Sequence, residues 1–419
     1  HHSKVLHTID EREQICDNCG STMVKVGEEF VRTEVQFIPA KLKVIDHYRE
    51  TYECRSCRKN GTPYMEKAPV PYPPVLHSLA SASTITWLIH QKFELSIPLY
   101  RQEKEWEALG LRLSRATMSN WLLVVYRDWL VHIVHRLKLE LLKQRYLHID
   151  ETHVQVLKEP GRKNTSDSYM WVYCSIRDAV NPIRYFEYQP GRSGKYPEAF
   201  LREYEGYIHT DAYSGYNAVS GVKRCLCYTH LRRAFVDALP KDIHNSEASK
   251  PAEAILRLNQ LFNIESELEA LPPDQKKKER LIREKPLLEA FWSWAEKSAI
   301  GELPKSKLSK AFHYALNNRE GFWNYLEDGN CSISNSLAEN CIRPFVIGRK
   351  NWLFSGSPKG AEASAGIYTL VETAKANGLA PMKYIKYILS DMPGSAFLEH
   401  PEYLDDYLPW NPLVKEFCR

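Results

Sequence analysis

The spacing of apolar and polar residues predicts helices in the region before residue 141. Residues 75–140 carry apolar side chains at helical intervals, which predicts two helices separated by a turn at Gly110. Ser114 is suited to cap the second of these helices. The pair is either a helix-turn-helix, with Arg112 and Arg115 positioned for DNA phosphates, or an ordinary helical hairpin.

From residue 145 onward the period changes from helical to alternating. The runs "RYLHIDETHVQVL", "SYMWVYCSI" and "IRYFEYQP" predict three strands in an antiparallel meander. A helix ("KYPEAFLREY"), a strand ("YIHTDAY"), and a further strand ("KRCLCY") that leads into "THLRRAFVDAL" follow. The order β, β, β, α, β, α, β predicts an α/β or α+β fold, with helices packed on a mixed sheet.

Residues 240–327 interrupt this alternation with two apolar stripes at helical spacing, which predict an inserted helical hairpin. The stripes, which we interpret as core packing, consist of Ile255, Leu258, Leu261, Phe262, Leu287, Phe291 and Trp294. After the insertion, "NSLAENCIRPF" predicts another helix, which Pro344 should end or kink.

Length, composition and charge limit the classes of protein to which this chain can belong. A chain of 419 residues exceeds one ordinary core, and 43% hydrophobic with 26% charged residues is typical of a globular protein. The net charge of +4 is too small to indicate a polyanionic partner. Two local clusters are basic, and each is either a solvated face or a nucleic-acid contact. They contain Lys223, Arg224, Arg232 and Arg233, and Arg343, Arg349, Lys350 and Lys359. The sequence shows no membrane span and no signal peptide, so we expect a cytosolic protein.

Four of the ten cysteines form two Cys-x-x-Cys pairs within residues 10–68. Cys16 and Cys19, with Cys54 and Cys57, can supply four thiolates to a structural Zn²⁺ ion. The strand-like stretch between the pairs then predicts a zinc ribbon, which contacts DNA, contacts a partner or only holds its own fold. The proline-rich segment "APVPYPP" predicts a linker after it.

Two aspartates lie where the predicted strands would bring them together. Asp150 lies in the first alternating strand and Asp211 at the end of the fourth. If these two strands are neighbours in the sheet, the two carboxylates would repel each other unless Mg²⁺ or Mn²⁺ lay between them. Glu151 would point to the opposite face and is the weaker candidate. Glu339 could complete a two-metal site, or with Ser336 it could form a capping box. The basic residues that follow favour the metal site.

With these residues identified, the chain strongly resembles the IS66 group of bacterial insertion-sequence transposases. The likeness covers roughly residues 14–390 through "LHIDET", "TDAYSGYN", "CYTHLRR", "NSLAENCIRPFVIGRKNWLFSGS" and "ETAKANGL". It implies a ribonuclease-H-like catalytic core of the DDE type, broken by a helical insertion before its final acid. Carried over by position, the triad is Asp150, Asp211 and Glu339.

The resemblance also bears on two smaller motifs. Cys227 and His230 match the Cys-x-x-His signature of such cores. As a bare pattern the pair could be half of a metal site, but with no partner pair evident in the sequence we favour a structural or DNA-positioning role. Where the group commonly shows Asp-Asn-Asn before the last helix, this chain has Ser334, Asn335 and Ser336, so the resemblance does not carry an auxiliary acid over to position 334.

The implied organisation has six parts. These are a zinc ribbon (10–68), a helical DNA-binding domain (75–140), a catalytic core in two parts (141–239 and 328–378), the helical insertion (240–327) and a carboxyl-terminal tail (379–419).

The implied activity is cleavage of transposon ends and strand transfer into target DNA, with two Mg²⁺ or Mn²⁺ ions. Arg343, Arg349 and Lys350 would clamp the DNA backbone, and Arg232 and Arg233 are further candidate contacts. The implied partners are transposon-end and target DNA, a homo-oligomer on DNA and accessory transposition proteins, at the nucleoid of a bacterial cytoplasm and without a membrane. The alternatives are a ribonuclease-H-like nuclease that cuts without joining, and a zinc-ribbon DNA-binding regulator derived from a transposase.

Overall fold

The computed structural model describes residues 4–34, 40–240 and 249–419. These residues form two compact units, one ending at Ile45 and the other running from Asp46 to Arg419. In the first unit, a 3₁₀ turn at Glu11–Glu13 precedes an isolated β-bridge between Ile15 and Thr22. Cys16 and Cys19 lie in the tight turn that this bridge closes.

The expected strands between the two cysteine pairs are largely missing. Among the described residues between the pairs, only Thr51–Glu53 (β1) is a strand, and residues 35–39 lie outside the described part. The prediction of a strand-rich ribbon was wrong there because all described side chains from 20 to 34 and from 40 to 53 are exposed, so the alternation has no core to face. β1 pairs with Met65–Lys67 (β2), and helix α1 (Arg55–Lys59) lies between them.

Four helices follow the proline-rich segment, and the two predicted around Gly110 are among them. They are α2 (Ala82–Ile89), α3 (Leu99–Ala108), α4 (Arg115–Val125) and α5 (Val131–Leu142). Gly110 adopts a φ of 90°, which suits a residue without a side chain, and Ser114 caps α4 by accepting the backbone N–H of Thr117. These helices share one hydrophobic core with the sheet that follows.

A six-stranded mixed sheet is the centre of the second unit. Its strands are β3 (Tyr146–Val156), β4 (Asp167–Ser175), β5 (Arg184–Gln189), β6 (Gly206–Thr210), β7 (Val222–Leu226) and β8 (Phe354–Ser355). The order is β5-β4-β3-β6-β7, with the first three antiparallel and β3, β6 and β7 parallel. β8 pairs in parallel with the end of β3. The predicted meander and mixed sheet are present.

Short helical elements connect the parallel strands. Helix α6 (Lys195–Phe200) joins β5 to β6, a 3₁₀ turn (Ser214–Ala218) joins β6 to β7, and α7 (Tyr228–Val236) leaves β7 toward the insertion. The loop that begins at Asp211 therefore follows the end of β6, beside the middle of β3.

The insertion contains more helices than the predicted hairpin. Its described helices are α8 (Lys250–Glu267), α9 (Pro273–Glu279), α10 (Lys285–Ser298), α11 (Lys307–Asn317) and α12 (Arg319–Trp323), and residues 241–248 lie outside the described part. All of these helices except α9 contribute to a second core together with α7 and β7. Arg280 is buried there, paired with Glu265 at 2.6 Å and donating to three backbone carbonyls, which ties the insertion to the chain that returns to the sheet.

The last helices cover the sheet. They are α13 (Ser336–Trp352), α14 (Pro358–Ala376), α15 (Pro381–Asp391) and α16 (Pro412–Cys418). Pro344 lies inside α13 and does not end it. Thr369 and Thr373 of α14 accept the backbone N–H groups of Phe186 and Arg184, which satisfies edge strand β5.

The residues from 379 onward are folded rather than an extended tail, because α15 and α16 bury Ile388 and Val414 in the main core. Within the part of the chain that is described, no helix has the length and apolar character needed to cross a bilayer.

Candidate active site

Asp150 and Asp211 lie at the same edge of the sheet. β3 and β6 are parallel neighbours with His148 opposite His209, so the register extended by two residues puts Asp150 beside Asp211. The imidazole rings of the two histidines stack with centroids 4.2 Å apart, behind the two acids. The condition under which the two acids would meet, that their strands are neighbours in the sheet, is met by this pairing.

Glu339 approaches the same edge from helix α13. The helix begins at Ser336 with Asn335 at its N-cap, and the backbone N–H of Glu339 donates to the carbonyl oxygen of Asn335. A capping-box glutamate stands three residues after the N-cap, whereas Glu339 stands four residues after it. The capping-box alternative was therefore wrong, and Glu339 Oε1 is buried without a hydrogen-bond partner among the described residues.

Nearby negative charges act on Asp150. Burial, followed by the carboxylates of Glu151, Asp211 and Glu339, raises the pKa of Asp150 to about 7, although the backbone N–H of Glu151 opposes the shift. A buried carboxyl group near like charges disfavours its own ionisation, and a bound divalent cation would reverse that effect. Carboxylate oxygens suit Mg²⁺ or Mn²⁺.

Glu151 is engaged by other residues of the protein. Its carboxylate pairs with Arg192 at 2.6 Å and accepts the hydroxyl hydrogen of Tyr216, and its side chain is only 2% exposed. Both contacts occupy Glu151 within the protein.

Arg192 is a site residue that the sequence analysis missed. Its guanidinium lies 4.0 Å from Asp211 Oδ2 and stacks over the ring of Tyr213 at 3.9 Å, while the Tyr213 hydroxyl donates to the Arg192 carbonyl. Asp211 Oδ1 also accepts the backbone N–H of Tyr213. The positive group that faces Asp211 is thus an arginine from the loop before α6, in the sequence "QPGRSGK".

Asn335 is a second missed residue, and it joins three segments. Its side-chain Nδ2 donates to the carbonyl oxygen of Ile149, its Oδ1 lies 3.0 Å from His148 Nδ1, and its backbone N–H donates to Cys227 Sγ. It is 1% exposed. The signal in the sequence was the asparagine at the centre of Ser334-Asn335-Ser336.

Cys227 and His230 lie beside Glu339. Burial raises the pKa of the Cys227 thiol, but hydrogen bonds with His230 and the Asn335 backbone outweigh it, so the pKa is lowered overall. The Cys227 thiol in turn raises the pKa of His230. His230 Nδ1 is 3.7 Å from Glu339 Oε1. The pair therefore borders the third acid.

The predicted basic residues after Glu339 divide into two kinds. Arg343 and Lys350 are exposed, and with Glu339 they fall within about 40° on one face of α13. Arg349 instead donates to Thr152 Oγ1 at 2.9 Å and to the His153 carbonyl, tying α13 to β3. Part of the hydrogen-bonding capacity of the Arg349 guanidinium is therefore taken up by contacts within the protein.

Several residues of the other basic cluster, Lys223, Arg224, Arg232 and Arg233, also make contacts within the protein. Arg224 donates to the carbonyls of Asp211 and Tyr213 and so supports the Asp211 loop, and Lys223 pairs with Glu327. Arg232 donates to Asn259 Oδ1 at 2.7 Å, whereas Arg233 is exposed.

Arg112 and Arg115 lie apart from this cluster, at the turn and first residue of α4. Both are exposed, and Arg112 approaches Glu107 at 4.0 Å. A phosphate could reach either side chain.

Each cysteine pair forms its own tight turn. Cys16 and Cys19 belong to the first unit, while Cys54 caps α1 and Cys57 lies within it, in the second unit. The backbone N–H of Ser21 lowers the pKa of Cys19, and the backbone N–H of Cys57 lowers that of Cys54. Backbone donors directed at sulfur favour the thiolates that Zn²⁺ binds.

Comparisons with known proteins agree with these features. A family model for the zinc-finger binding domain of IS66 transposases matches residues 13–58, which contain all four cysteines, and supports Zn²⁺ binding there. The chain is similar to three uncharacterized proteins of Sinorhizobium fredii: y4hP (27% identical, over 96% of this chain and 75% of the relative), y4jD (26%, 96% and 79%) and y4qI (27%, 98% and 76%). The family model of the IS66 transposases matches residues 77–363, and the chain therefore belongs to the IS66 transposase family.

Proposed function

We propose that this chain is a DDE transposase that cuts the ends of its element and joins them to target DNA. Asp150, Asp211 and Glu339 are its catalytic acids. The observation that supports the proposal is the register of β3 and β6, which puts Asp150 beside Asp211, together with the raised pKa of Asp150, to which Asp211 and Glu339 contribute.

The order of the strands supports a ribonuclease-H-like core. The sheet has the order β5-β4-β3-β6-β7, in which the first three strands in the chain are antiparallel and the next two run parallel to β3, and this is the arrangement that the resemblance implies. Asp150 lies on β3, Asp211 directly follows β6, and Glu339 lies on the helix after the insertion. The insertion folds around its own core, so it can separate the second and third acids in sequence without disturbing the edge where they meet.

The three carboxylates fit a pair of divalent ions. They offer only oxygen donors, and Glu339 Oε1 is a buried acceptor without a partner among the described residues. Two such ions would activate the attacking water or 3′-hydroxyl and stabilise the leaving oxygen. Asp150, Asp211 and Glu339 would hold them.

Other residues of the chain prepare this site. Asn335 fixes the start of α13 against β3, so that Glu339 faces Asp150, and Arg192 balances the charge of Glu151 and Asp211. Arg343 and Lys350, exposed on the Glu339 face of α13, would hold DNA phosphates in largely sequence-independent contacts.

The recognition of transposon ends would involve other parts of the chain. The cysteine-containing residues 13–58 and the helices around Gly110, with Arg112 and Arg115, are the candidates. A homo-oligomer would pair two ends at the bacterial nucleoid, with accessory transposition proteins as further partners.

The experiment is an end-cleavage and strand-transfer assay with Mg²⁺ on DNA that carries the ends of the element. Asp150→Asn, Asp211→Asn and Glu339→Gln should each reduce both reactions at least about a hundredfold and leave DNA binding measurable. Asp178→Asn, an exposed aspartate, is the matched control and should act like wild type.

Each other outcome identifies one alternative. Cleavage without joining of a precut end would favour a nuclease. DNA binding with no Mg²⁺-dependent reaction in wild type would favour a regulator, and full activity in the three variants would overturn the assignment of the acids.

A further inference from the structure

Three ligand atoms of different chemistry meet beside the proposed magnesium site. The Cys227 sulfur, a ring nitrogen of His230 and a carboxylate oxygen of Glu339 all lie within 4.8 Å of one another. Cys227 is the N-cap residue of α7, His230 lies in the first turn of that helix and Glu339 lies in α13, so the cluster joins the two sides of the insertion.

The distance between two of these atoms suits a shared cation better than a direct contact. His230 Nδ1 and Glu339 Oε1 are 3.7 Å apart, which is too long for a hydrogen bond. Ligands bound to a tetrahedral zinc at about 2.0–2.3 Å lie roughly 3.3–3.6 Å apart. A small movement of either side chain would therefore accommodate the ion.

The same two atoms lack other partners. His230 Nδ1 and Glu339 Oε1 are each shielded from solvent, and neither has a hydrogen-bond partner among the described residues. The third ligand, Cys227 Sγ, accepts the backbone N–H of Asn335 at 3.2 Å, the kind of outer contact that stabilises a metal-bound thiolate. The cluster thus combines two buried ligand atoms that lack hydrogen-bond partners with one sulfur that accepts a backbone N–H.

A second cluster shows the contrast. His209, Cys225 and Cys331 are also close together and buried, but Nε2 of His209 accepts the backbone N–H of Ser332 and its Nδ1 lies 3.2 Å from the carbonyl oxygen of Leu147. Both ring nitrogens of His209 therefore already contact backbone groups, and we interpret this cluster as part of the packed core.

We propose that Cys227, His230 and Glu339 form a Zn²⁺ site separate from the zinc of the amino-terminal cysteines. A sulfur, nitrogen and oxygen donor set selects Zn²⁺ over Mg²⁺, and three protein ligands leave a fourth position open to solvent or DNA. The proposal of the zinc site itself depends only on the positions of these three side chains. Its consequence rests on the proposed function: Zn²⁺ bound here would hold Glu339 away from the ions beside Asp150, so zinc would switch the catalytic acid off.

The test counts zinc in the purified full-length chain after dialysis against a small excess of ZnCl₂. Wild type should hold one zinc more per chain than Cys227→Ser, His230→Gln or Glu339→Gln. Cys341→Ser, on the same helix as Glu339 but outside the cluster, is the control and should hold as much zinc as wild type.

Replacement by Co²⁺ separates a lost site from a lost fold. The difference spectrum between wild type and Cys227→Ser should contain a sulfur-to-cobalt charge-transfer band, while circular dichroism and the remaining zinc stay unchanged in Glu339→Gln. Equal zinc contents in wild type and all three variants would overturn the proposal. Because no DNA reaction is measured, this result is independent of the magnesium chemistry.

Discussion

Asn335 Nδ2 donates to the carbonyl oxygen of Ile149 at 2.7 Å, immediately before Asp150 in the chain. This bond fixes the first turn of the helix that carries Glu339 to the strand that carries Asp150. Asn335 is buried and also contacts His148 and Cys227, so its position is determined from three sides. The third acid is thus positioned by an amide four residues before it.

Replacing Asn335 tests this positioning role. Asn335→Ala leaves the Ile149 carbonyl and His148 unsatisfied in the core, so we expect a loss of about 1–3 kcal/mol in the free energy of unfolding for each group left unpaired. Urea unfolding measures this change. We also expect slower end cleavage at saturating DNA with little change in DNA affinity, because Glu339 shifts while the DNA contacts remain.

Asn340→Ala is the control for this experiment, since Asn340 is exposed on the same helix. It should leave the free energy of unfolding within about 0.5 kcal/mol of wild type. Cleavage by the Asn335→Ala protein at the wild-type rate would show that Asn335 does not position Glu339 for the reaction.

Replacing Arg192 should destabilise the site through Glu151. Arg192→Ala leaves the buried Glu151 carboxylate without its cation, and we expect a loss of about 1–3 kcal/mol in the free energy of unfolding. In the Glu151→Gln background the same substitution should have a smaller effect, because the uncompensated charge is gone. A double-mutant cycle by urea unfolding gives this coupling, and additive effects would show that the two residues act independently.

The parts of the site that could be predicted follow from local pattern. The alternation around Asp150 and Asp211 marks two core strands, and their parallel pairing, with His148 opposite His209, brings the middle of β3 beside the end of β6. Glu339 had two interpretations because a capping box and a catalytic acid share one spacing, and only the start of α13 at Ser336 separates them.

The missed parts depend on contacts between distant segments. Arg192 lies in a loop with no periodic signal, and its function comes from meeting Glu151 and Asp211 across the fold. Similarly, the sequence cannot show that Arg349 donates to the His153 carbonyl, because a basic residue on an exposed helix has the same pattern whether it binds the protein or DNA.

The pKa of Asp150 predicts a dependence of stability on pH. Its folded-state pKa of about 7 lies above the ordinary value of 3.8, so the native state binds this proton more tightly than the unfolded chain. The resulting stabilisation is complete below about pH 4 and is lost as the pH rises through about 7. In buffer without Mg²⁺ or Mn²⁺, the free energy of unfolding should therefore fall between about pH 4 and pH 7.

Asp150→Asn isolates this contribution. Glu284, whose pKa is raised to about 8 by burial and by Glu265, titrates over an overlapping range in both proteins. The part of the decrease due to Asp150 is the difference between wild type and the variant. Parallel curves for the two proteins would contradict the shifted pKa.

The two kinds of basic residue on α13 should respond differently to substitution. Arg343→Ala and Lys350→Ala should each weaken DNA binding for all sequences and reduce the slope of log K against log salt by about one, because each removes a phosphate contact. Arg349→Ala should instead lower the free energy of unfolding, since it breaks the tie to Thr152 and His153. Fluorescence anisotropy at several salt concentrations and urea unfolding measure the two effects.

If Asp150, Asp211 and Glu339 are the catalytic acids, they should together hold divalent ions. Anomalous diffraction from crystals grown with Mn²⁺ and cleaved transposon-end DNA locates those ions directly. We predict Mn²⁺ peaks within about 2.5 Å of carboxylate oxygens from all three residues, and their loss in Asp211→Asn crystals. Mn²⁺ peaks elsewhere, with these three carboxylates free of metal, would contradict the account.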